Sequence, residues 1–293
     1  MTTLATAGGA LPLPATRPVR AKRVLPGFGL SMGVTLLYLA VIILAPLTAL
    51  ALQGAEIGIA RWWAIITAPR AIAAFQITFG AAAIATVFNA IYGLLMAWVL
   101  VRCEFPGKRL VDALMDAPFA LPTAVAGITL TALYSRNGWF GAGIEASGVQ
   151  VVFTIWGVAL AMAFTSAPFV VRTIQPVLED IDPQIEQAAE TLGASRIAIF
   201  FRVVFPLILP AFLAGSALAF ARSLGEFGAI VFIAGNLPFR TEIAALLAFI
   251  RLEEYDYAGA SAIALALLLA AFVLLMVSNV LQAWAARFRE ARS

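Results

Sequence analysis

Oily and polar positions along the chain resolve into six long apolar runs, at residues 28–52, 72–101, 116–134, 151–171, 206–234 and 258–284. None alternates with a period of two, and each approaches or exceeds the roughly 20 residues that a helix needs to cross a bilayer. In lipid every backbone N–H and C=O must be satisfied internally, so runs of this kind fold as spanning helices. The pattern predicts an all-α, polytopic membrane protein with about six transmembrane helices. Pro118 and Pro122 open the third run, which predicts a kink at its start. Arg222, Gly225, Glu226 and Gly228 interrupt the fifth, which reads as one span followed by a broken or re-entrant continuation. Between the fourth and fifth runs lies a polar island, residues 178–210, holding Glu179, Asp180, Asp182, Glu186 and Glu190.

Composition agrees with the pattern. Of 293 residues, 62% are hydrophobic and 12% charged, against roughly 25% charged in an average soluble protein. There is no His and one Cys, Cys103, so an internal disulfide is excluded and a metal centre built from His or thiolate is disfavoured. The pI near 9.3 accompanies a formal charge of only +3. The bases cluster at the ends of the apolar runs, which is the signature of membrane topology and not of nucleic-acid binding.

Residues 1–26, with Arg17, Arg20, Lys22 and Arg23 near their end, read as a disordered cytoplasmic tail. A basic cluster before an apolar run also marks a secretory signal, but a run of about 25 residues exceeds the 7–15 of a signal core, so a retained first span is expected. With six spans and an inside N-terminus, thirteen Lys and Arg fall inside and five outside, with Arg222 within the membrane. The positive-inside rule then puts both termini and the polar island in the cytoplasm. This frame gives a transmembrane domain over residues 27–286 and a cytoplasmic C-terminal tail over 287–293. The lack of a G-x-x-x-x-G-K-[ST] loop excludes an ATPase, since Gly107-Lys108 lacks both the earlier Gly and the following hydroxyl.

The island carries its own helix signals. Asp182 can accept from a free N–H, Pro183 suits the first helical position, and Glu186 places negative charge in the first turn. Gln187, Ala188, Ala189 and Glu190 continue the helix to Gly193, a natural left-handed terminator. A second helix from about Ser195 leads through Phe200, Phe201 and Val204 to Pro206 and the membrane. A short helix with small residues on its exposed face either inserts into a groove on another protein or is an ordinary loop between spans.

At this point the sequence resembles a known family. Permease subunits of ATP-binding-cassette importers carry E-A-A, three residues, G, nine residues, I-x-L-P; here stand Gln187-Ala188-Ala189, Gly193 and Val203-Val204-Phe205-Pro206. Gln187 replaces the first Glu, with Glu186 just before it. The stretches from Leu114 to Gly127, from Ala163 to Arg172 and from Arg222 to Gly228 resemble the sulfate/molybdate branch. Phe232 to Asn236 and Arg251 to Tyr257 are similar to its sulfate/thiosulfate permeases, the CysT (or CysU) family. The resemblance implies a type I importer permease fold of MetI-like kind and import of sulfate and thiosulfate across the bacterial inner membrane. It also implies two ATPase subunits that bind ATP in its place, a homologous second permease, a periplasmic binding protein, and no cofactor or catalytic residue of its own. The coupling role then falls on Glu186, Gln187, Ala188, Ala189, Gly193 and Pro206. A molybdate or tungstate permease is the nearest substrate alternative. An anion transporter working without ATP stands in a different class, and the absence of an internal repeat weighs against it.

Charges inside a span are costly and usually face a bundle interior or water. Arg222 and Glu226, four apart on a helix, either hold the broken fifth span together or, with Ser223, present donors to a passing anion. Gly225 and Gly228 allow a turn at membrane depth or close helix packing, and Pro118, Pro122 and Pro168 are read as kinks shaping the bundle. Asn89 reads as interhelical glue, and Thr123, Thr165 and Ser166 line a path or bond to a preceding carbonyl. Arg240, Glu242, Arg251, Glu253, Glu254 and Asp256 read as a solvated outer face, with docking of a binding protein as the alternative.

Overall fold

A computed structural model describes residues 28–290, with side chains to residue 280 apart from 278. The expected tail 1–26 and residues 291–293 lie outside the described residues. The chain divides into two units, Met1–Ala49 and Leu50–Ser293.

Helix α1, Phe28–Glu56, runs 29 residues and includes a π-helical stretch, Ala40–Leu44. The remaining helices in order are α2 (Ile59–Ile66), α3 (Pro69–Arg102), α4 (Lys108–Met115), α5 (Ala117–Ala120), α6 (Thr123–Tyr134) and α7 (Gly141–Ala146). They are followed by α8 (Ile155–Glu179), α9 (Pro183–Thr191), α10 (Arg196–Leu224), α11 (Gly228–Ile233), α12 (Ala244–Glu253) and α13 (Tyr257–Glu290). Among the described residues, five helices (α1, α3, α8, α10 and α13) are long and apolar enough to cross a membrane. The third apolar run is realised differently. Pro118 and Pro122 each sit at a helix start, so the run breaks into α5 and the 12-residue α6, about 18 Å long and too short to span alone.

The second unit is organised around α3, α8 and α10, which pack against one another. Small residues make this possible. The buried stripe of α3 includes Ala74, Ala81, Ala85, Asn89, Gly93 and Ala97, at helical spacing. Val170 of α8 sits where both partners have glycine: a Cβ on Gly93 would meet its Cγ1 at 2.6 Å, and one on Gly215 would meet its Cα at 3.0 Å. One core cluster gathers Met162, Ile230, Ile233 and Ile243. A second, toward the α9 end, gathers Ile174, Leu178, Val204 and Ile208. Helix α10 passes from the second to the first, and α13 packs on α10 and α12.

Candidate functional site

The island residues form a helix stopped at both ends by local chemistry. Asp182 is the N-cap, and its carboxylate accepts from the Gln184 N–H at 2.9 Å, with Pro183 opening α9. At the other end Gly193 adopts φ 81°. The Ala194 N–H donates to Ala189 O at 3.1 Å and the Gly193 N–H to Glu190 O at 2.9 Å, the paired bonds of a Schellman ending. Ser195 then caps α10 by accepting from the Ala198 N–H at 3.3 Å. Four residues therefore reverse the chain from α9 into a span.

The faces of α9 differ. Ala189 and Ala194 pack on the core around Ile174, Leu178 and Ile199. Glu186 forms an ion pair of 2.6 Å with Arg102, the last residue of α3. Gln187 and Ala188 are exposed, as are Ile185 and Leu192, the latter 89% exposed. Pro206 lies near the start of the α-helical part of α10, just after the π-helical stretch Phe200–Val204. Of the six residues named for coupling, Gln187 and Ala188 are both exposed, Glu186 and Ala189 turn toward the bundle, and Gly193 makes the turn. Sequence reasoning missed Arg102, which reads only as a base at a membrane edge, and the open apolar pair Ile185 and Leu192.

The second candidate region is the break after α10. The helix stops at Leu224, Gly225 is exposed, and α11 starts at Gly228. Arg222 Nη1 lies 2.7 Å from Glu226 Oε2; the Glu226 side chain is 1% exposed and that of Arg222 34%. The other Glu226 oxygen accepts from the Ala229 N–H at 3.1 Å, where α11 begins. Burial of this carboxylate is thus offset by one cation and one helix start. Ser223 faces elsewhere. It is fully buried, with its hydroxyl 2.8 Å from Ala219 O and 3.1 Å from Ser166 Oγ. Ser166 in turn receives the Asn89 amide at 2.8 Å, so Asn89, Ser166 and Ser223 join α3, α8 and α10. The Thr165 and Ser166 hydroxyls also bond to carbonyls of the preceding turn. The structure brings Arg222 and Glu226 together and sets Ser223 apart from them. Close approach fixes the break: a Cβ on Gly127 of α6 would run into the Ala229 backbone, and one on Gly228 into Thr123.

At the opposite end from α9, one acidic residue expected in a solvated face is not there. Glu242 is buried and takes a two-pronged ion pair from Arg70, at 2.7 and 2.9 Å. The Ala244 N–H beside it donates to Thr78 Oγ1 at 2.8 Å, which fastens the start of α12 to α3. Arg251 and Asp256 stay partly exposed and pair at 3.2 Å.

Comparison with known proteins places this arrangement. Residues 90–290 match the family described as "Binding-protein-dependent transport system inner membrane component". The sulfate transport system permease protein CysT of Escherichia coli (strain K12) is 54% identical over 264 residues, covering 90% of this chain and 95% of that protein. The chain is also similar in fold to a bacterial ABC transporter involved in import of the acidic polysaccharide alginate, with a TM-score of 0.72 at 16% identity over 88% of this chain and 96% of that one. A second alginate transporter structure, in complex with an alginate pentasaccharide-bound periplasmic protein, gives a TM-score of 0.69 at 16% identity, over 86% and 92%. The capped helix between two spans, the broken fifth span and these matches agree: the chain belongs to the inner membrane components of binding-protein-dependent transport systems, within the CysT family of sulfate transport permeases.

Proposed function

We propose that this chain is the transmembrane permease subunit of an ATP-driven importer for sulfate and thiosulfate, driven through α9. The observation that carries the reading is α9 itself, capped at both ends and pinned by Glu186 to the end of α3. It presents Ile185, Gln187, Ala188 and Leu192 outward. Such a preformed apolar surface suits the groove of a partner, since little ordering entropy remains to be lost on docking. The sulfate transport relatives support the cargo.

In this reading α9 and both termini are cytoplasmic, as the positive-inside count favours. Two ATPase subunits bind and hydrolyse ATP, so the chain needs no cofactor. A homologous second permease completes the pathway, a periplasmic binding protein delivers the anion, and lipid surrounds the spans. Closure of the ATPases displaces α9. Because α9 leads through one turn into α10, the displacement reaches Arg222 along a single helix about 40 Å long. Arg222 engages Glu226 through Nη1, and its guanidinium, a third exposed, can also meet oxygens of a tetrahedral dianion with its planar fork.

The test is co-purification with the partner subunits, followed by ATP hydrolysis in vesicles supplied with sulfate, thiosulfate or molybdate. Stimulation by sulfate and thiosulfate is expected. Stimulation by molybdate alone, or sulfate uptake by this chain without ATP, rejects the reading.

A further inference from the structure

Arg172 lies on α8, about two turns before that helix ends at Glu179, and its guanidinium is saturated. Nε donates to Asp116 Oδ1 at 2.8 Å and Nη2 to Asp116 Oδ2 at 2.7 Å. Nη1 donates to Asp112 Oδ1 at 2.6 Å and to Gln175 Oε1 at 2.8 Å, and Nη2 donates again to the Asp112 carbonyl at 2.8 Å. Arginine has five N–H donors in a fixed fork, and all five are used here. Four of the bonds reach one short segment, the end of α4 and the residue that joins it to α5.

The three side chains are 29%, 40% and 50% exposed. Ion pairs at that exposure add little to stability, typically about 0–1 kcal/mol. What five bonds in a rigid fork do supply is orientation. The segment they orient has a definite sequel. Phe119 of α5 stacks edge-on against Phe169 of α8, with ring centroids 5.2 Å apart. Beyond α5, α6 packs on α11 through Gly127 and Gly228, next to the Arg222–Glu226 pair. In the other direction, α8 ends three residues before the Asp182 cap of α9.

We infer that Arg172 is a positioning residue of the transport cycle: it makes α4, α5 and α6 move with α8 as one body when α9 is displaced. The inference rests on the coupling role proposed for α9. A lysine at 172 keeps the charge but cannot hold two carboxylates and a carbonyl in one plane. Without the joint, α8 slides past α5 and α6 stays behind.

The test uses the assembled transporter in proteoliposomes, with labelled sulfate taken up per ATP hydrolysed as the readout. That ratio does not depend on how much complex assembles. Arg172→Lys is expected to lower it about fivefold or more, the size of an ordinary coupling free energy. Asp116→Asn, which spares the Asp112 bonds, is expected to lower it less. An unchanged ratio in Arg172→Lys overturns the inference. So does failed assembly of Arg172→Lys combined with an unchanged ratio in Asp116→Asn, because the residue is then merely structural. Gly193→Val runs in parallel as a reporter on α9. A lower ratio there with none in Arg172→Lys sinks this inference alone, whereas no change in either sinks the coupling reading as well.

Discussion

Helix α9 and the break after α10 are both polar interruptions of an oily chain, and they are built in opposite ways. At α9 the capping bonds all join residues within five positions of each other: Gln184 to Asp182, Gly193 to Glu190, Ala194 to Ala189 and Ala198 to Ser195. The helix is therefore preformed and touches the bundle chiefly through small side chains and one ion pair. At the break the Arg222–Glu226 pair is local, but the backbone around it is wedged by α6, about a hundred residues earlier in the chain. A locally made element can be pushed as a unit, whereas a packed one yields only if its neighbours yield. In the proposed cycle this difference suits α9 to be the element that is pushed, while the break moves only together with the helices packed on it.

The largest effect expected from breaking this contrast is at Arg222. Arg222→Ala leaves the Glu226 carboxylate buried without its cation, at a cost of about 3 kcal/mol, the lower end for a broken buried pair because Arg222 is partly exposed. Thermal unfolding in detergent should show it. Glu226→Gln keeps an acceptor for the Ala229 N–H and leaves only a partly exposed cation, so about 1 kcal/mol is expected. Equal losses in the two variants would mean that the pair is not held as asymmetrically as its burial implies. Sulfate uptake unchanged in a well-assembled Arg222→Ala complex would remove Arg222 from the pathway.

Two glycines sharpen the contrast further. A methyl on Gly127 meets the Ala229 backbone, so Gly127→Ala should cost about 1–3 kcal/mol of stability by overpacking. A methyl on Gly193 meets nothing within 4 Å, and its penalty comes from φ 81° alone, about 1–2 kcal/mol. Melting temperature should fall more for Gly127→Ala. The number of ATP hydrolysed per sulfate should rise more for Gly193→Val, while Gly193→Asn, which tolerates the left-handed region, should stay near the parent. If Gly193→Val transports normally, α9 is not where the drive enters.

The same division explains what was legible in the sequence. The run at 72–101 became Pro69–Arg102 almost residue for residue, because length and oiliness are local properties. Asp182, Gly193 and Ser195 announced α9 for the same reason. The fourth run was expected to end near Val171, yet α8 continues to Glu179. Nothing in the sequence singled out Arg172 as a joint, because its partners Asp116 and Asp112 lie 56 and 60 positions away. Glu242 was expected in solvent and is buried, since Arg70 reaches it from 172 positions earlier. Ser223 was read with its neighbour Arg222, although adjacent positions on a helix do not share a face. The misses at Arg172 and Glu242 are tertiary partners with no local trace, whereas that at Ser223 was legible in helix geometry.

The smallest expected effect on stability tests the Arg102–Glu186 ion pair between α9 and the bundle. Arg102 and Glu186 are 19% and 24% exposed and 2.6 Å apart, so replacing both together by apolar residues of similar size should cost no more than about 1 kcal/mol. Their importance in this reading is mechanical. Arg102 ends α3, the helix that packs most closely along α8, so the pair connects α9 to the bundle by a route that does not pass through α10. Arg102→Glu sets two carboxylates against each other and should raise the ATP consumed per sulfate. Adding Glu186→Arg restores the attraction with the charges exchanged and should return the ratio toward the parent. Rescue by the exchange would show that the contact carries force between α9 and α3. If the single variant couples normally, or the exchange fails to rescue it, then the motion passes only along the chain, through α8 and α10, and the Arg102–Glu186 contact carries none of it.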